Sequence, residues 1–331
     1  MCVTGASGFL GIHIVECLLD RGFRVRATVR DADNPTKTRA LRSLGHDERL
    51  ELRSADITVP GVFDDIVADV PYIVHVASSV LQTAKDPQRQ IVDVAVQGTR
   101  GILAAADASN AVRRVVLTSS SSAVVDETRP HTHVFDESDW NEGATLETDP
   151  YALSKTLAER EAWRHVETSN GYDLVAINPT MVLGPIRDRA HLGSSPSIIA
   201  DLVSGAFPLV PDLTFQWVDV REVAHAHVEA LVRDDADGRY LVSGHTASLH
   251  EVSQILRDGL DRHRVPRRSM PNVFMYIAAV FDDRLSWSFL KRNLGIRRDV
   301  DNRRAVRELG VEHRSLADAV LDTARSIQAL G

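Results

Sequence analysis

Cysteine is almost missing from this chain. Its 331 residues include only Cys2 and Cys17, which excludes a disulfide framework and a four-ligand zinc site built on thiolates. Both read as small buried residues in a reducing cytoplasm. Positive charge is also in deficit: 46 acidic against 38 basic side chains give a formal net charge of -8 and a pI near 5.9. That balance opposes partnership with a nucleic-acid backbone or an anionic bilayer. No basic and apolar leader precedes the first expected strand. The longest apolar run, 273–281, falls well short of a membrane-spanning helix and reads as core or pocket lining. Metal ligands are missing as sets. His225 and His227 lie two apart on an expected helix and diverge, while His131 and His133 sit in a polar loop without a third ligand, so no metal is expected. Neither repeats nor low-complexity tracts occur.

The chain does have 44% hydrophobic residues, enough for one large α/β core and a smaller second lobe. Its first half alternates β-rich runs with amphipathic stretches. Strands are expected at 2–4, 24–29, 50–53, 72–76, 112–118 and 174–177, with helices at 8–20, 36–44, 61–67, 87–108 and 150–168. This is the pattern of a doubly wound parallel Rossmann sheet. After Asn178-Pro179 a Gly, Pro and Ser-rich stretch, 184–207, predicts loops over the sheet's carboxyl edge. The helix 220–232 and strand 239–242 are expected to return to the sheet, and 249–331 reads as mostly helical. The expected division is therefore a nucleotide-binding domain, 1–178 with 216–245, and a smaller, mostly helical C-terminal substrate lobe, 179–215 with 246–331. Only three residues precede Thr4-Gly5, which predicts a short first strand and a truncated start.

The opening T-G-A-S-G-F-L-G places Gly5, Gly8 and Gly11 between a strand and a helix. Missing side chains there permit a tight turn and close approach of a pyrophosphate to the helix N-terminus. Ser7, Phe9 and Leu10 complete the turn. An acid about 20 residues beyond such glycines usually binds the adenosine ribose, but here Arg30 holds that place, with Lys37 seven residues on. Two cations favour the extra phosphate of NADP(H), although the adjacent Asp31 could serve a ribose.

In D-P-Y-A-L-S-K, Asp149 predicts an N-cap and Pro150 the first helical position. Tyr151 and Lys155, spaced i and i+4, then share a face. An isolated phenol, with a pKa of roughly 10, is a poor proton shuttle at neutral pH, and a nearby ammonium that favours phenolate eases the exchange. Ser120, in the hydroxyl run 118–122 that ends a strand, is expected to orient a carbonyl oxygen, with Thr118 beside the cofactor. The pattern specifies carbonyl chemistry on a nicotinamide.

These residues resemble the extended short-chain dehydrogenases/reductases, in particular the dihydroflavonol, cinnamoyl-CoA and methylglyoxal (aldehyde) reductase branch. The motifs carrying the likeness span nearly the whole chain: T-G-A-S-G-F-L-G, V-R-A-T-V-R-D, A-D-I at 55–57, V-H-V-A-S at 74–78, R-R-V-V-L-T-S-S at 113–120, Y-A-L-S-K-T-L-A-E and N-P-T-M-V-L-G-P. The resemblance implies that Arg30 and Lys37 take a 2′-phosphate, that Asp56 and Ile57 flank the adenine, and that Val76, Ala77 and Ser78 line the dinucleotide. It further implies that Lys155 binds the nicotinamide ribose and that Pro179 and Ser197 approach the nicotinamide. Val125 stands where flavonoid-specific relatives place a polar residue, although Gln216 matches another of their polar contacts. The segment 147–150 replaces the aromatic and cysteine motif of cinnamoyl-CoA reductases. Ser121 and Ser122 replace the acid pair of sugar-nucleotide dehydratases. The implied activity is NADPH-dependent reduction of a ketone or aldehyde by a cytoplasmic monomer or homodimer. A nucleotide-sugar epimerase and a silent NADP sensor are the alternatives. Residues 186–197 and 273–289 are expected to shape the pocket, where Arg187 or Arg189 could anchor an acid or simply face solvent.

Overall fold

The computed structural model describes the chain apart from residues 47, 79–82, 170, 194, 261–264, 279–286 and 331. Its first half runs β1 (Cys2–Thr4), α1 (Phe9–Asp20), β2 (Val25–Val29), α2 (Pro35–Arg42), β3 (Leu50–Ser54), α3 (Asp64–Val67), β4 (Tyr72–His75), α4 (Asp93–Ala108) and β5 (Arg114–Thr118). Then come β6 (Val134–Phe135), α5 (Pro150–Thr168), β7 (Asp173–Pro179), β8 (Met181–Leu183), α6 (Pro196–Ser204), β9 (Thr214–Asp219), α7 (Val220–Val232), β10 (Gly238–Val242) and β11 (His245–Ser248). The C-terminal part holds α8 (Leu249–Gly259), α9 (Asn272–Ala278), α10 (Trp287–Asn293), β12 (Asp299–Val300), α11 (Arg303–Leu309) and α12 (Leu316–Ala329).

Seven strands pair in parallel in the order β10-β7-β5-β4-β1-β2-β3. Central strands of such a sheet are covered on both faces, which is why β1, β5 and β7 are unbroken buried runs rather than alternating ones. One face packs Ile12 and Leu18 of α1 with Val223 and Val228 of α7. The other packs Ile66 of α3, Ile102 of α4 and Ala162 of α5. Strand order reverses between β1 and β4, so their carboxyl ends open the crevice where sheets of this kind bind ligands. A separate three-stranded sheet, β11-β9-β8, carries a second core in which Leu183 and Trp217 meet Leu202 of α6, Val252 of α8 and Val320 of α12.

Three details differ from the sequence expectation. The stretch 184–207 is not all loop: Pro196 at the start and Gly205 in the left-handed region (φ 78°) bracket α6. The expected helix 87–108 begins with a π-helical turn, Gln88–Val92, before α4. Residues 214–219 pair with β8 and β11 instead of the large sheet, which the chain rejoins at β10. Positions 279–286 of the expected pocket segment lie outside the described residues. Among the described residues no helix is long and apolar enough to cross a membrane.

Gly101, inside α4, has open space where a Cβ would stand. Gly101→Ala should therefore stabilise the protein by about 0.5–1 kcal/mol, the helix-propensity gain, measured by urea unfolding. A loss would show that α4 is packed more tightly than described.

Candidate active site

The glycine turn is defined by backbone contacts. Gly5 has φ 65°, and a Cβ there would stand 2.8 Å from the Ala77 Cα; one on Gly11 would stand 2.3 Å from the Gly5 carbonyl oxygen. Neither position admits a side chain, so the loop after β1, the loop after β4 and α1 touch main chain to main chain. Gly8 caps α1 without a side-chain hydrogen bond, which leaves first-turn N–H groups open to an anion. The Thr4 hydroxyl holds the crevice together. Its Oγ1 accepts from Val76 N and Ala77 N, both at 3.1 Å, and lies 2.9 Å from His75 Nδ1. Burial, and then the charge of Lys155, push His75 down to about 3, so the imidazole is neutral and can accept the threonine proton.

Residues 185–191 sit on the same turn. His191 Nε2 lies 3.2 Å from the Ser7 carbonyl, His13 Nε2 lies 2.9 Å from the Pro185 carbonyl, and the Phe9 ring contacts both imidazoles. Arg187 is paired with Glu16, and Arg189 Nε donates to the Leu330 carbonyl at 3.0 Å. Both arginines, weighed as an acid anchor or as solvent-facing loop residues, are thus engaged with Glu16 and the Leu330 carbonyl.

At the end of β2, Arg30 is exposed, as is Lys37 in the first turn of α2, whose N-cap Asn34 accepts from Thr36 N and Lys37 N. Neither cation forms an ion pair among the described residues. Asp56 turns its Oδ1 onto Thr58 N (2.9 Å) and Thr58 Oγ1 (2.7 Å), which, with Arg30 nearby, lowers its pKa. Ile57 packs against Gly98, 3.4 Å from where a Cβ would be.

Helix α5 starts as its sequence requires: Asp149 Oδ1 accepts from Ala152 N at 2.9 Å and Pro150 occupies the first turn. Tyr151 and Lys155 share a face, with Nζ 5.8 Å from the ring centroid. Ser120 stands beside the Tyr151 phenol and acts to lower its pKa, and Ser120 Oγ accepts from Ser122 N at 3.1 Å. Lys155 donates to Ser78 Oγ at 3.2 Å. The structure therefore joins Ser120, Tyr151, Lys155 and Ser78 at the carboxyl edge. One electrostatic expectation is corrected: the phenol is shifted up, chiefly by burial and further by Asp149, with Ser120 opposing. Burial also pulls Lys155 down to about 8, against the pull of Glu159.

Glu159, one turn beyond Lys155, was not anticipated. It is fully buried and accepts from Ser119 Oγ (2.5 Å), Asn178 Nδ2 (2.7 Å), Arg239 Nε (2.6 Å) and Trp163 Nε1 (3.2 Å). Asn178 Nδ2 also donates to the Ser120 carbonyl at 3.1 Å. The signal was present in Y-A-L-S-K-T-L-A-E, as a charge on the face of α5 that also carries buried Ala152, Ala158 and Ala162. Apart from Trp163 on the same helix, its partners lie 40 residues before it (Ser119) or 19 and 80 residues after it (Asn178 and Arg239), so spacing alone does not reveal them.

Other expected residues are placed elsewhere. The Thr118 hydroxyl lies 2.8 Å from His227 Nε2 on α7, and His227 Nδ1 bonds the Val223 carbonyl at 2.8 Å. A β-strand alternates its side chains, so Thr118 faces α7 while the Ser119 hydroxyl faces α5. Pro179 ends β7 beside Asn178. Ser197 lies in the first turn of α6, and no hydrogen bond joins it to Ser120, Tyr151 or Lys155 among the described residues. Val125 packs with Val124, Phe135 and Leu241, and the Gln216 amide donates to the Arg298 carbonyl.

Residues 1–243 match the NAD dependent epimerase/dehydratase family. The chain belongs to that family. Within it, the chain is 39% identical over 274 residues to the cinnamoyl-CoA reductase CAD2 of Medicago truncatula, covering 81% of this chain and 83% of the relative. It is 33% identical to a bifunctional dihydroflavonol 4-reductase/flavanone 4-reductase of Malus domestica, covering 81% and 78%. Among solved structures, the yeast methylglyoxal/isovaleraldehyde reductase Gre2 complexed with NADPH superposes with a TM-score of 0.81 at 29% identity, covering 99% of this chain and 98% of that one. The glycine cradle, closed to any Cβ and open at the α1 N-terminus, fits the pyrophosphate of the dinucleotide such family members take.

Three buried histidines make the fold sensitive to acid. Burial lowers His13 and His227 to about 4 and His75 to about 3. All three are depressed below the unfolded value near 6.5, so their contribution is complete above that pH and is lost as pH falls toward the folded values. Unfolding free energy should drop between pH 7 and pH 5 by about 1–2 kcal/mol per histidine. Denaturant titrations on wild type and His227→Gln should differ by one such share; identical slopes would show that His227 is not held neutral.

Proposed function

We propose that this protein is an NADPH-dependent reductase that converts a ketone or aldehyde to an alcohol. The observation that carries the reading is the convergence of Ser120, Tyr151 and Lys155 at the carboxyl edge, with Ser120 beside the Tyr151 phenol and Lys155 one turn along the same helix. The similarity to a cinnamoyl-CoA reductase and to a dihydroflavonol 4-reductase/flavanone 4-reductase supports it, as does the similarity to the yeast reductase complexed with NADPH. The exposed Arg30 and Lys37, which form no ion pair among the described residues, favour a phosphorylated adenosine ribose over a plain one.

When bound, NADPH supplies a hydride to the carbonyl carbon. Tyr151 donates its proton to the carbonyl oxygen, and the raised phenol pKa keeps that proton in place at neutral pH. Ser120 donates a hydrogen bond to the same oxygen, its own lone pair held by Ser122 N. Lys155 stabilises the phenolate left behind, which solvent reprotonates, and its bond to Ser78 keeps it near the crevice. Residues 5–11 hold the pyrophosphate, Arg30 and Lys37 the 2′-phosphate, and Val76, Ala77 and Pro179 the walls beyond. Free Cys2 and Cys17 suit a reducing compartment such as the cytoplasm. The carbonyl compound itself is the open choice among aldehydes, aryl ketones, diketones and β-keto esters.

The test is NADPH oxidation over a panel of those carbonyls. Turnover should prefer NADPH to NADH, and Tyr151→Phe should lower kcat by about 10²–10⁴-fold, the usual worth of general acid catalysis. Nucleotide binding without turnover on any carbonyl would move the assignment to an epimerase or a sensor. Because Lys155 acts as the ammonium, kcat/KM for reduction should be full below its pKa of about 8 and fall above it; a flat profile to pH 10 would remove Lys155 from this role.

A further inference from the structure

The face of α5 that carries Tyr151 and Lys155 continues one turn to Glu159, and Glu159 is the point at which α5 grips the segment bearing Ser120. Ser119 donates its hydroxyl to Glu159 at 2.5 Å while its main-chain N–H bonds the Ile177 carbonyl at 2.8 Å. Asn178 Nδ2 bridges Glu159 (2.7 Å) and the Ser120 carbonyl (3.1 Å), and this double use leaves the buried Asn178 Oδ1 without a donor. An amide that leaves one buried atom orphaned to keep two contacts on the other is oriented by those contacts.

Arg239, the partner of Glu159, extends the grip. Its Nη1 donates to the carbonyls of Glu137 (2.8 Å) and Asp139 (2.6 Å), and its guanidinium stacks 3.8 Å from the Trp140 ring centroid. The same loop reaches back to the serine turn: Asn141 N bonds the Ala123 carbonyl at 3.0 Å and Asn141 Nδ2 the Ser122 carbonyl at 2.9 Å. Ser120 is thus flanked on both sides by main chain anchored to one buried ion pair.

We propose that Glu159 is a positioning residue for this site, holding Ser120 in place through Ser119 and Asn178 and standing one helical turn beyond Lys155 as its counter-charge. The proposal rests on the reductase reading for its consequence in catalysis but not for its geometry. Lys155 faces Glu159, Ser78, the Tyr151 ring and the neutral His75; of these only Glu159 carries a negative charge.

The test uses the fact that Lys37, Lys85, Lys155 and Lys291 are the chain's only lysines. Selective ¹³Cε-lysine NMR therefore gives four resonances, with Lys155 assigned through Lys155→Arg, and its titration is read on the full chain without turnover. In Glu159→Gln, Lys155 should titrate at lower pH than in wild type; in Arg239→Gln, where the carboxylate loses its partner, it should titrate at higher pH. The other three lysines should not move. Opposite shifts separate this role from a structural one, which would lower Tm in both variants and leave Lys155 unmoved. Ser119→Ala keeps both charges and should lower kcat by roughly tenfold, with KM little changed, through misplacement of Ser120. An unshifted Lys155 in a folded Glu159→Gln or Arg239→Gln protein overturns the proposal, and so does an unchanged kcat in Ser119→Ala. Absence of wild-type turnover on every carbonyl would overturn the reductase reading instead, leaving the lysine titration to judge Glu159.

Discussion

The buried ion pair between Glu159 and Arg239 is the contact on which the arrangement of this site depends. Two charges taken out of water cost several kcal/mol each, and mutual attraction offsets this only where the remaining donors and acceptors are satisfied. Here they are: both carboxylate oxygens accept from side chains other than Arg239, and the guanidinium uses its remaining donors on loop carbonyls and its face on Trp140. Losing one partner of such a pair costs about 3–5 kcal/mol, whereas an apolar replacement of both is often neutral. Stability alone does not explain the pair. Its connections do: α5, which carries Tyr151 and Lys155, the turn after β5, which carries Ser120, and β7, β10 and the loop before α5 meet at this one point.

The second organising contact is at the switch point of the sheet, where Gly5 lies against Ala77 and the Thr4 hydroxyl bridges the ends of β1 and β4. It brings the glycine turn before α1 against Ala77, and Lys155 reaches the neighbouring Ser78 from α5. The glycine turn and the helix of Tyr151 are thereby linked through the ends of β1 and β4 and through Lys155. Neutral histidines recur at this boundary: His75 under Thr4, His227 under Thr118, and His13 and His191 beside the glycine turn. Each satisfies a polar group without adding charge beside the glycine turn or the end of β5.

Much of this was legible in the sequence because it is written in local spacing. The glycines at 5, 8 and 11, the Asp149-Pro150 helix start, the i and i+4 pair of Tyr151 and Lys155, and the alternation of apolar runs each act within a few residues. What escaped was set by tertiary contact. Thr118 and Ser119 are adjacent, and only the sheet decides which hydroxyl faces α5 and which is taken by His227. The direction of the Tyr151 shift depends on burial, which sequence spacing does not report. The helix in the expected loop 184–207 was marked by Pro196 and Gly205, yet its surroundings of Gly, Pro and Ser outweighed those two signals.

Carbonyl reduction and epimerisation share the same three side chains and differ in where the hydride ends. Mass spectrometry of the product formed with NADPH deuterated at C4 of the nicotinamide, tested with both stereoisomers of the label, distinguishes them most directly. Transfer of one deuterium from one stereoisomer to the carbonyl carbon, with oxidised cofactor accumulating in equal amount, is the result expected here. Product that carries no deuterium from either label, formed without net oxidation of the cofactor, would contradict the account.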